Sequence, residues 1–538
     1  MHLPSNPDPS PLDAPPVLSP AGGRTLLGHP PGLFLLFTVE MWERFSYYGM
    51  RALLVLYLIR RTAAEAGLAG AQEANPGRGW GKAEASTLYG WYTGLVYLTP
   101  ILGGIIADKL IGTHRSMVIG GLLIMLGHIV LAISGMGDLG TNAVGMSTFI
   151  GGLALIVVGT GHFKPSVSVM VGQLYPEGDP RRDGAFTIFY MGINLGAFIC
   201  VYTCGTLGEK VSWHWGFGCA AVGMALGLIS YMMFRPMALR GIGLAPAAKE
   251  RSAWGVSMMF VILGIVLSAI FGFLQHQGAW TKVMGFMTWS VAIGIAIVTT
   301  IASVWFIAVQ RREDRKPVAS IFLFMLFNAF FWVAFEQAGS SLNVFTEQNT
   351  DRHIGSFEVP ATWFQSINAG FIFIMAPMFA GLWTWLDRRR KNPSQPMKIG
   401  LGLVFVGLGY LFMVWAAGVN KGSVLAPMWP LVALYFWHTV GELCLSPTGL
   451  SYVTKAAPVR FVSLLMGIWF VSSFIANLSG GLIAAQVEDI EKGVIKLPWH
   501  LGGQADFFLL FVVVSGGAGV LVMLFTPLLK KLMRNPND

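Results

Sequence analysis

Charge is scarce in this chain: only 12% of its 538 residues are Asp, Glu, Lys or Arg, while 54% are hydrophobic. A soluble domain carries roughly 25% charged residues, so this scarcity excludes a water-solvated globule and leaves a polytopic membrane protein. Acids are rarer still, 27 against 36 bases, for a formal net charge of +9. That excess does not point to nucleic acid, because the basic residues sit in short loops between apolar runs and not on one face. Cysteine is nearly missing. Cys200, Cys204, Cys219 and Cys444 all fall in apolar segments, and the pair one helical turn apart reads as packing rather than redox chemistry. A phosphate-binding loop is lacking too: "PGRGWGKA" (76–83) has neither the first glycine nor the final Ser/Thr, which argues against ATP-driven pumping. Residues 1–30 are proline-rich without a basic start or an apolar core. They read as a disordered tail and not a cleaved signal peptide, so the first spanning helix must drive insertion.

What is abundant is apolar run. A bilayer crossing needs about 20 apolar residues, and such runs lie near 33–59, 86–107, 116–136, 146–173, 184–207, 214–234, 253–275, 284–310, 317–345, 362–386, 398–418, 426–454, 460–486 and 505–529. Sixty-six glycines suit close approach of spanning helices. With the N-terminus inside, one side collects Lys109, Arg115, Arg181, Arg182, Arg235, Arg240, Lys249, Arg251, "RREDRK" (311–316), "RRRK" (388–391), Lys398, Lys455, Arg460 and the tail lysines. The other keeps mainly Arg60, Arg61, Arg78 and Lys82. The positive-inside rule then places both termini in the cytoplasm. The runs at 253–275 and 284–310 carry no buried charge and separate two groups of six. The expected division is a tail (1–30), an N-terminal six-helix bundle (31–235), a two-helix insertion with its linkers (236–316) and a C-terminal six-helix bundle with a short tail (317–538). The loop "GGIIADKLIGTHR" (103–115) has the spacing G-x-x-x-D-x-x-x-G-x-x-R, which resembles the cytoplasmic loop motif of the major facilitator superfamily. In it Asp108 can meet a helix N-terminus or a basic partner.

Few charges remain inside the spans: Glu40, Glu43, Arg44, Arg51, Lys164, Glu336 and Glu442. Charge in hydrocarbon is costly and persists mainly when paired or when it faces a cavity. At 100° per residue, Glu40, Arg44, Tyr47 and Arg51 fall within about 60° of one another, with Glu43 and Tyr48 flanking. That stripe must face the bundle interior. Glu40 and Glu43 can exchange partners with Arg44, and a protonated Glu releases its Arg, so the cluster can switch when a proton arrives. Arg51 and Glu336 lie at similar depth on outward-running helices. Lys164 and Glu442 share another depth, nearer the midplane, on inward-running ones. Two ion pairs between the halves, Arg51–Glu336 and Lys164–Glu442, are thus expected as latches for alternating access.

These residues stand in recognisable surroundings. "EMWERFSYYGMR" (40–51) closely resembles the E-x-x-E-R-F-x-Y-Y-G signature of the proton-dependent oligopeptide transporters, the POT/PTR branch of the major facilitator superfamily. "FTIFYMGINLGAF" (186–198) resembles its second signature. "GTGHFKPS", "FWVAFEQAGSSL", "WFQSINAGFIFIMAP" and "GELCLSPTGLS" follow in the family's order, and the resemblance runs from residue 30 nearly to the end. It implies an all-α major facilitator fold, with the extra helix pair and fourteen spans common among bacterial members, in a bacterial inner membrane. It implies a proton-coupled symporter of di- and tripeptides that needs the bilayer and a proton gradient but no cofactor, metal or nucleic acid, and that works as a monomer. Glu40, Glu43, Arg44 and Glu336 would couple protons. Arg51 would attract the peptide carboxylate with Lys164 adding positive field, and Asn194, Asn368 and Glu442 would hold the amino end and backbone. Tyr47, Tyr48 and Tyr97 would line the pocket, and Trp332 and Trp469 would shape side-chain subsites. His162, Ser166 and Ala369 depart from the family pattern, which bears on local pocket contacts and helix bending.

Two other readings compete. His438 and Glu442 at i, i+4 could ligate a metal, but no second His or H-E-x-x-H accompanies them, so an enzyme is not expected. A transporter of the same family that takes another solute, such as nitrate, amino acids or peptide-like drugs, is the nearer rival. The retained Glu40–Glu43–Arg44 cluster argues for proton coupling with peptide.

Overall fold

The structure is a computed structural model that describes residues 25–68, 75–176, 178–246, 249, 252–286, 288–420, 424–457 and 462–533. Most of the expected N-terminal tail and the loop residues Arg251 and Arg460 lie outside them. Among the described residues, fourteen long helices follow one another, each coinciding with one of the apolar runs. They are α1 (Pro31–Ile59), α2 (Lys82–Ile106), α3 (Gly112–Ile133), α4 (Ala143–Gln173), α5 (Arg181–Lys210), α6 (Trp213–Ala238), α7 (Ala253–His276), α8 (Trp289–Ala308), α9 (Arg312–Asn349), α10 (Ala361–Arg388), α11 (Gln395–Val419), α12 (Trp429–Ala456), α13 (Val462–Ala484) and α14 (Gln504–Leu524). Ten continuous helical stretches are long and apolar enough to cross a membrane, the one at Lys82–Ile133 holding both α2 and α3. The fold is therefore that of an all-α polytopic membrane protein. Among the described residues the two-stranded element is a small hairpin of β1 (His353–Ile354) and β2 (Phe357–Glu358), turned at Gly355 with a positive φ of 63°.

Helix ends follow local chemistry. Pro31 opens α1 at a position where its missing N–H costs nothing, and the Asn142 side chain accepts the Gly145 N–H to cap α4. Between α2 and α3 runs the G-x-x-x-D-x-x-x-G-x-x-R segment. It winds through a π turn at Ala107–Ile111 and breaks at Gly112, whose φ of 78° suits glycine. Asp108 is exposed there and makes no hydrogen bond or ion pair among the described residues, so neither partner expected for it is present. α5 and α14 each contain a similar π turn, at Val201–Gly205 and Val512–Gly516.

α1 packs against α5 and α6, α3 against α4, and α2 against α4, while α11 packs against α12 and α14. α7 lies along α4, and α8 touches α9 and α13. The outward faces of α7 and α8 expose Met258, Ile262, Ile297, Ile301 and Trp305, as lipid contact requires. α2 and α13 cross where Gly90 and Gly481 face each other: a Cβ at Gly90 would stand 2.9 Å from the Gly481 Cα, and one at Gly481 would strike the Gly90 backbone. No side chain fits that crossing. Gly481→Val is expected to push α2 from α13 and lower the thermal midpoint by several degrees in detergent; an unchanged midpoint would mean the crossing relaxes freely.

Polar contacts between the α1–α6 set and the α9–α14 set run from mid-depth to one face, here termed the sealed face. There Arg60 meets Glu347 at 2.6 Å, Lys210 meets Glu358 at 2.7 Å and Asn343 donates to the Ala52 carbonyl at 2.8 Å. Lys210 donates to Glu358 and holds its carboxyl below the ordinary carboxylate range, so that pair stays charged in mild acid. Glu209 on α5 accepts the backbone N–H groups of Ala361 and Thr362, both at 2.8 Å, and the Thr362 hydroxyl at 2.6 Å. It thereby caps α10 from the other helix set. Toward the opposite face, the last such contact among the described residues is Tyr190–Glu442.

Candidate functional site

α1 carries its charges in the order the stripe predicts, and each finds a partner. Arg44 Nε stands 2.7 Å from Glu40 Oε1 and 3.0 Å from Glu43 Oε2, with all three side chains buried. One guanidinium therefore faces two carboxylates. Counted by itself, the triad is neutral when one acid carries a proton and singly negative when neither does, and the Lys164 ammonium is the neighbouring charge that can offset the second state. Burial makes that difference matter, since an unbalanced charge in a low-dielectric interior is strongly disfavoured.

Two turns along, Arg51 Nη2 reaches Glu336 Oε2 at 2.6 Å, both side chains 7% exposed. Glu336 ends the regular part of α9 and opens a 3-10 turn, Glu336–Gly339. This ion pair joins the two helix sets. Arg51 Nε donates to the Tyr89 phenol oxygen at 2.7 Å, and its guanidinium lies 5.5 Å from the centre of the Tyr48 ring. Tyr47 sits edge-on to Tyr48, with ring centres 5.1 Å apart.

The second expected pair is not formed. Lys164 and Glu442 make no ion pair among the described residues; the Lys164 ammonium lies 3.7 Å from the centre of the Tyr97 ring, a cation–π contact. Glu442 instead accepts from Tyr190 on α5 at 3.1 Å and from Asn368 on α10 at 3.0 Å. The physical reason is azimuth. Equal depth lets two groups meet only if their helices also face each other, and here Lys164 lies over the Tyr97 ring while Tyr190 and Asn368 take up Glu442.

The remaining residues fall around these centres. Asn368 also donates to the Thr439 hydroxyl at 3.0 Å. Asn194 is buried and donates to the Tyr190 carbonyl one turn back, at 3.1 Å. The Trp332 indole N–H donates to Asn328 at 3.1 Å, and both Trp332 and Trp469 are half-buried against the core of the C-terminal set. His162 is buried, its Nδ1 3.1 Å from the Ser116 hydroxyl, and Ser166 bonds back to the His162 carbonyl at 2.7 Å. The buried His438 ring packs among Phe335, Tyr410 and Tyr435.

Sequence reasoning missed Tyr89 and Tyr190, which make the two hydrogen bonds that tie Arg51 and Glu442 in place. Tyr190 had a signal, standing one turn before Asn194 inside the second signature. Tyr89 had none beyond its place in the aromatic run "LYGWYTGLVYL".

Residues 114–499 match the family model described as the POT family (PTR2). The chain is similar to the peptide transporter YePEPT of Yersinia enterocolitica, 36% identical over 530 residues covering 96% of this chain and 97% of that protein. It is also similar to a di-/tripeptide transporter of Lactococcus lactis, 35% identical over 518 residues, 95% of this chain and 98% of the other. In three dimensions it resembles the crystal structure of a peptide transporter POT in complex with sulfate, with a TM-score of 0.76, 35% identity and coverage of 95% and 97% of the two chains. With its buried charge centres in the family's order and its length matched almost end to end, the chain belongs to the POT family, a branch of the major facilitator superfamily.

Proposed function

We propose that this protein is a proton-coupled symporter that imports di- and tripeptides by alternating access. The observation that carries this reading is the Arg44 guanidinium set against two buried carboxylates on α1, 2.7 and 3.0 Å away, beside an ion pair that bridges the two helix sets. The first changes its charge balance with one proton. The second opens or closes the route between the sets. The identity to relatives described as peptide transporters supports peptide as the cargo.

In this reading the fourteen helices form two six-helix bundles, 31–235 and 317–538, with α7 and α8 as the insertion between them. The sealed face is the outer one and both termini are cytoplasmic, as the basic loops favour. The form described is closed outward and accessible from the cytoplasm of a bacterial cell, and a single chain completes the path. Arg51 takes the peptide carboxylate, since a planar fork matches a carboxylate better than a point charge does. Glu336 releases it on protonation, and Lys164 adds positive field. Glu442, Asn368 and Asn194 receive the amino end, while Tyr47, Tyr48, Tyr97, Trp332 and Trp469 line the space between. Binding only the groups that all short peptides share leaves side chains free to vary. The Lys164–Glu442 pair belongs to a different stage of the cycle from the one described, a stage in which Tyr190 and Asn368 have let go of the acid.

The test is uptake of labelled dialanine into proteoliposomes, with and without an inward acid gradient, competed by unlabelled dipeptides, free alanine and nitrate. Accumulation that needs the gradient and is blocked only by short peptides is expected. Block by nitrate or free alanine would reassign the solute, and no uptake by folded protein would overturn the reading.

A further inference from the structure

Tyr89 is buried on α2, 1% exposed, in a stretch otherwise occupied by packing. Its phenol oxygen receives the Arg51 Nε–H at 2.7 Å. The same ring is seated against Gly339: a Cβ there would meet the Tyr89 oxygen and stand 2.6 Å from its Cζ. Gly339 closes the turn that begins with Glu336. One side chain therefore touches Arg51 and the turn bearing the acid that Arg51 pairs with.

The geometry has a chemical consequence. A guanidinium can present two edges to a carboxylate, the Nε–Nη2 side or the Nη1–Nη2 end, each with two parallel N–H groups. With Nε committed to Tyr89, the Nη1–Nη2 end is the edge left with both N–H groups free for a carboxylate, and Glu336 Oε2 stands 2.6 Å from Nη2, the nitrogen that the two edges share. An incoming carboxylate must approach through that same end. If Glu336 lets go, Tyr89 still holds Nε, and the fork does not swing after its former partner.

We infer that Tyr89 is a positioning residue for carboxylate recognition: by holding the Nε of Arg51, it keeps the guanidinium fixed with its Nη1–Nη2 end open while a substrate carboxylate takes the place of Glu336 beside Nη2. This rests on the reading that Arg51 takes the substrate carboxylate, and the experiment separates the two. Competition against labelled dialanine is measured by gradient-free counterflow in proteoliposomes, with dialanine and dialanine amide as competitors, for wild type, Tyr89→Phe and Arg51→Lys. Tyr89→Phe keeps the ring and removes one hydrogen bond. Its preference for the free acid over the amide is expected to fall roughly tenfold or more, the range for a hydrogen bond to a charged group, with amide competition unchanged and the thermal midpoint lowered by a few degrees because the buried Nε–H loses its acceptor. A merely structural role would weaken both competitors together and leave the preference intact. An unchanged preference in Tyr89→Phe, with loss of preference in Arg51→Lys, overturns the role of Tyr89 and leaves Arg51 as the carboxylate group. An unchanged preference in Arg51→Lys as well overturns both. Should Tyr89→Phe fail to fold, Gly339→Ala carries the same readout, because it displaces the Tyr89 oxygen from the other side without deleting it. A normal preference in that variant overturns the inference.

Discussion

Glu43→Gln is expected to abolish accumulation of peptide under an acid gradient while leaving gradient-free exchange within a few-fold of wild type. Glutamine is nearly the same size, so the packing around this fully enclosed side chain persists. What changes is the charge count. Arg44 would then face Glu40 alone, at 2.7 Å, one cation against one carboxylate. The variant is thus held in the charge state that a proton confers on the wild type, and no longer registers whether a proton has arrived. Each pH unit of gradient is worth about 1.36 kcal/mol per proton, so an inward step of two units drives roughly a hundredfold accumulation for each proton coupled. The variant should equilibrate at a ratio near one. Labelled dipeptide uptake with an imposed gradient, set beside counterflow in the same vesicles, gives both numbers. Retained accumulation would move the coupling proton to another acid.

Arg51→Ala carries the second large effect, and it has two separable parts. The first concerns stability: removing the guanidinium leaves Glu336 buried without its partner, and breaking a buried pair from one side costs about 3–5 kcal/mol. The Arg51–Glu336 contact between the helix sets should be lost, and the thermal midpoint should drop. Arg51→Ala combined with Glu336→Ala should recover much of that loss, because no uncompensated charge remains. The second part concerns recognition and should not recover. Both the single and the double variant should lose affinity for free-carboxylate dipeptides more than for their amides. Equal losses for acid and amide would contradict the assignment of Arg51 to the carboxylate end.

The contrast between these two centres and the Lys164–Glu442 pair shows what could be read from one dimension. The stripe on α1 was legible because 3.6 residues per turn fix which side chains share a face, and Glu40, Glu43 and Arg44 lie within a single turn. The Arg51–Glu336 contact needed one further quantity, depth, which follows from the rise per residue. Depth alone was insufficient for Lys164 and Glu442, since it carries no information about where around the bundle a helix stands or which stage of a rocking cycle is occupied. Tyr97, Tyr190 and Asn368 were nearer. The tyrosine hydroxyls that anchor Arg51 and Glu442 were illegible for a related reason: in an apolar run the ring accounts for the residue, and its single polar atom leaves no periodic trace. The sealed-face contacts of Arg60, Glu209, Lys210 and Glu358 lie at helix ends and in the hairpin, where no repeat exists to be read. The fourteen apolar runs, by contrast, were found because their length is set by bilayer thickness.

The cap that Glu209 provides to α10 reaches beyond holding two elements together. The first amide groups of α10 belong to one helix set, and their acceptor belongs to the other. Whenever the sets part at that face, the Ala361 and Thr362 N–H groups lose their partner and meet solvent; when the sets close, they are covered again. Deuterium uptake at those two backbone positions is therefore a clock already present in the chain. It counts the fraction of time that this face spends open without any attached label, and a cargo that shifts the balance registers as a change in its rate.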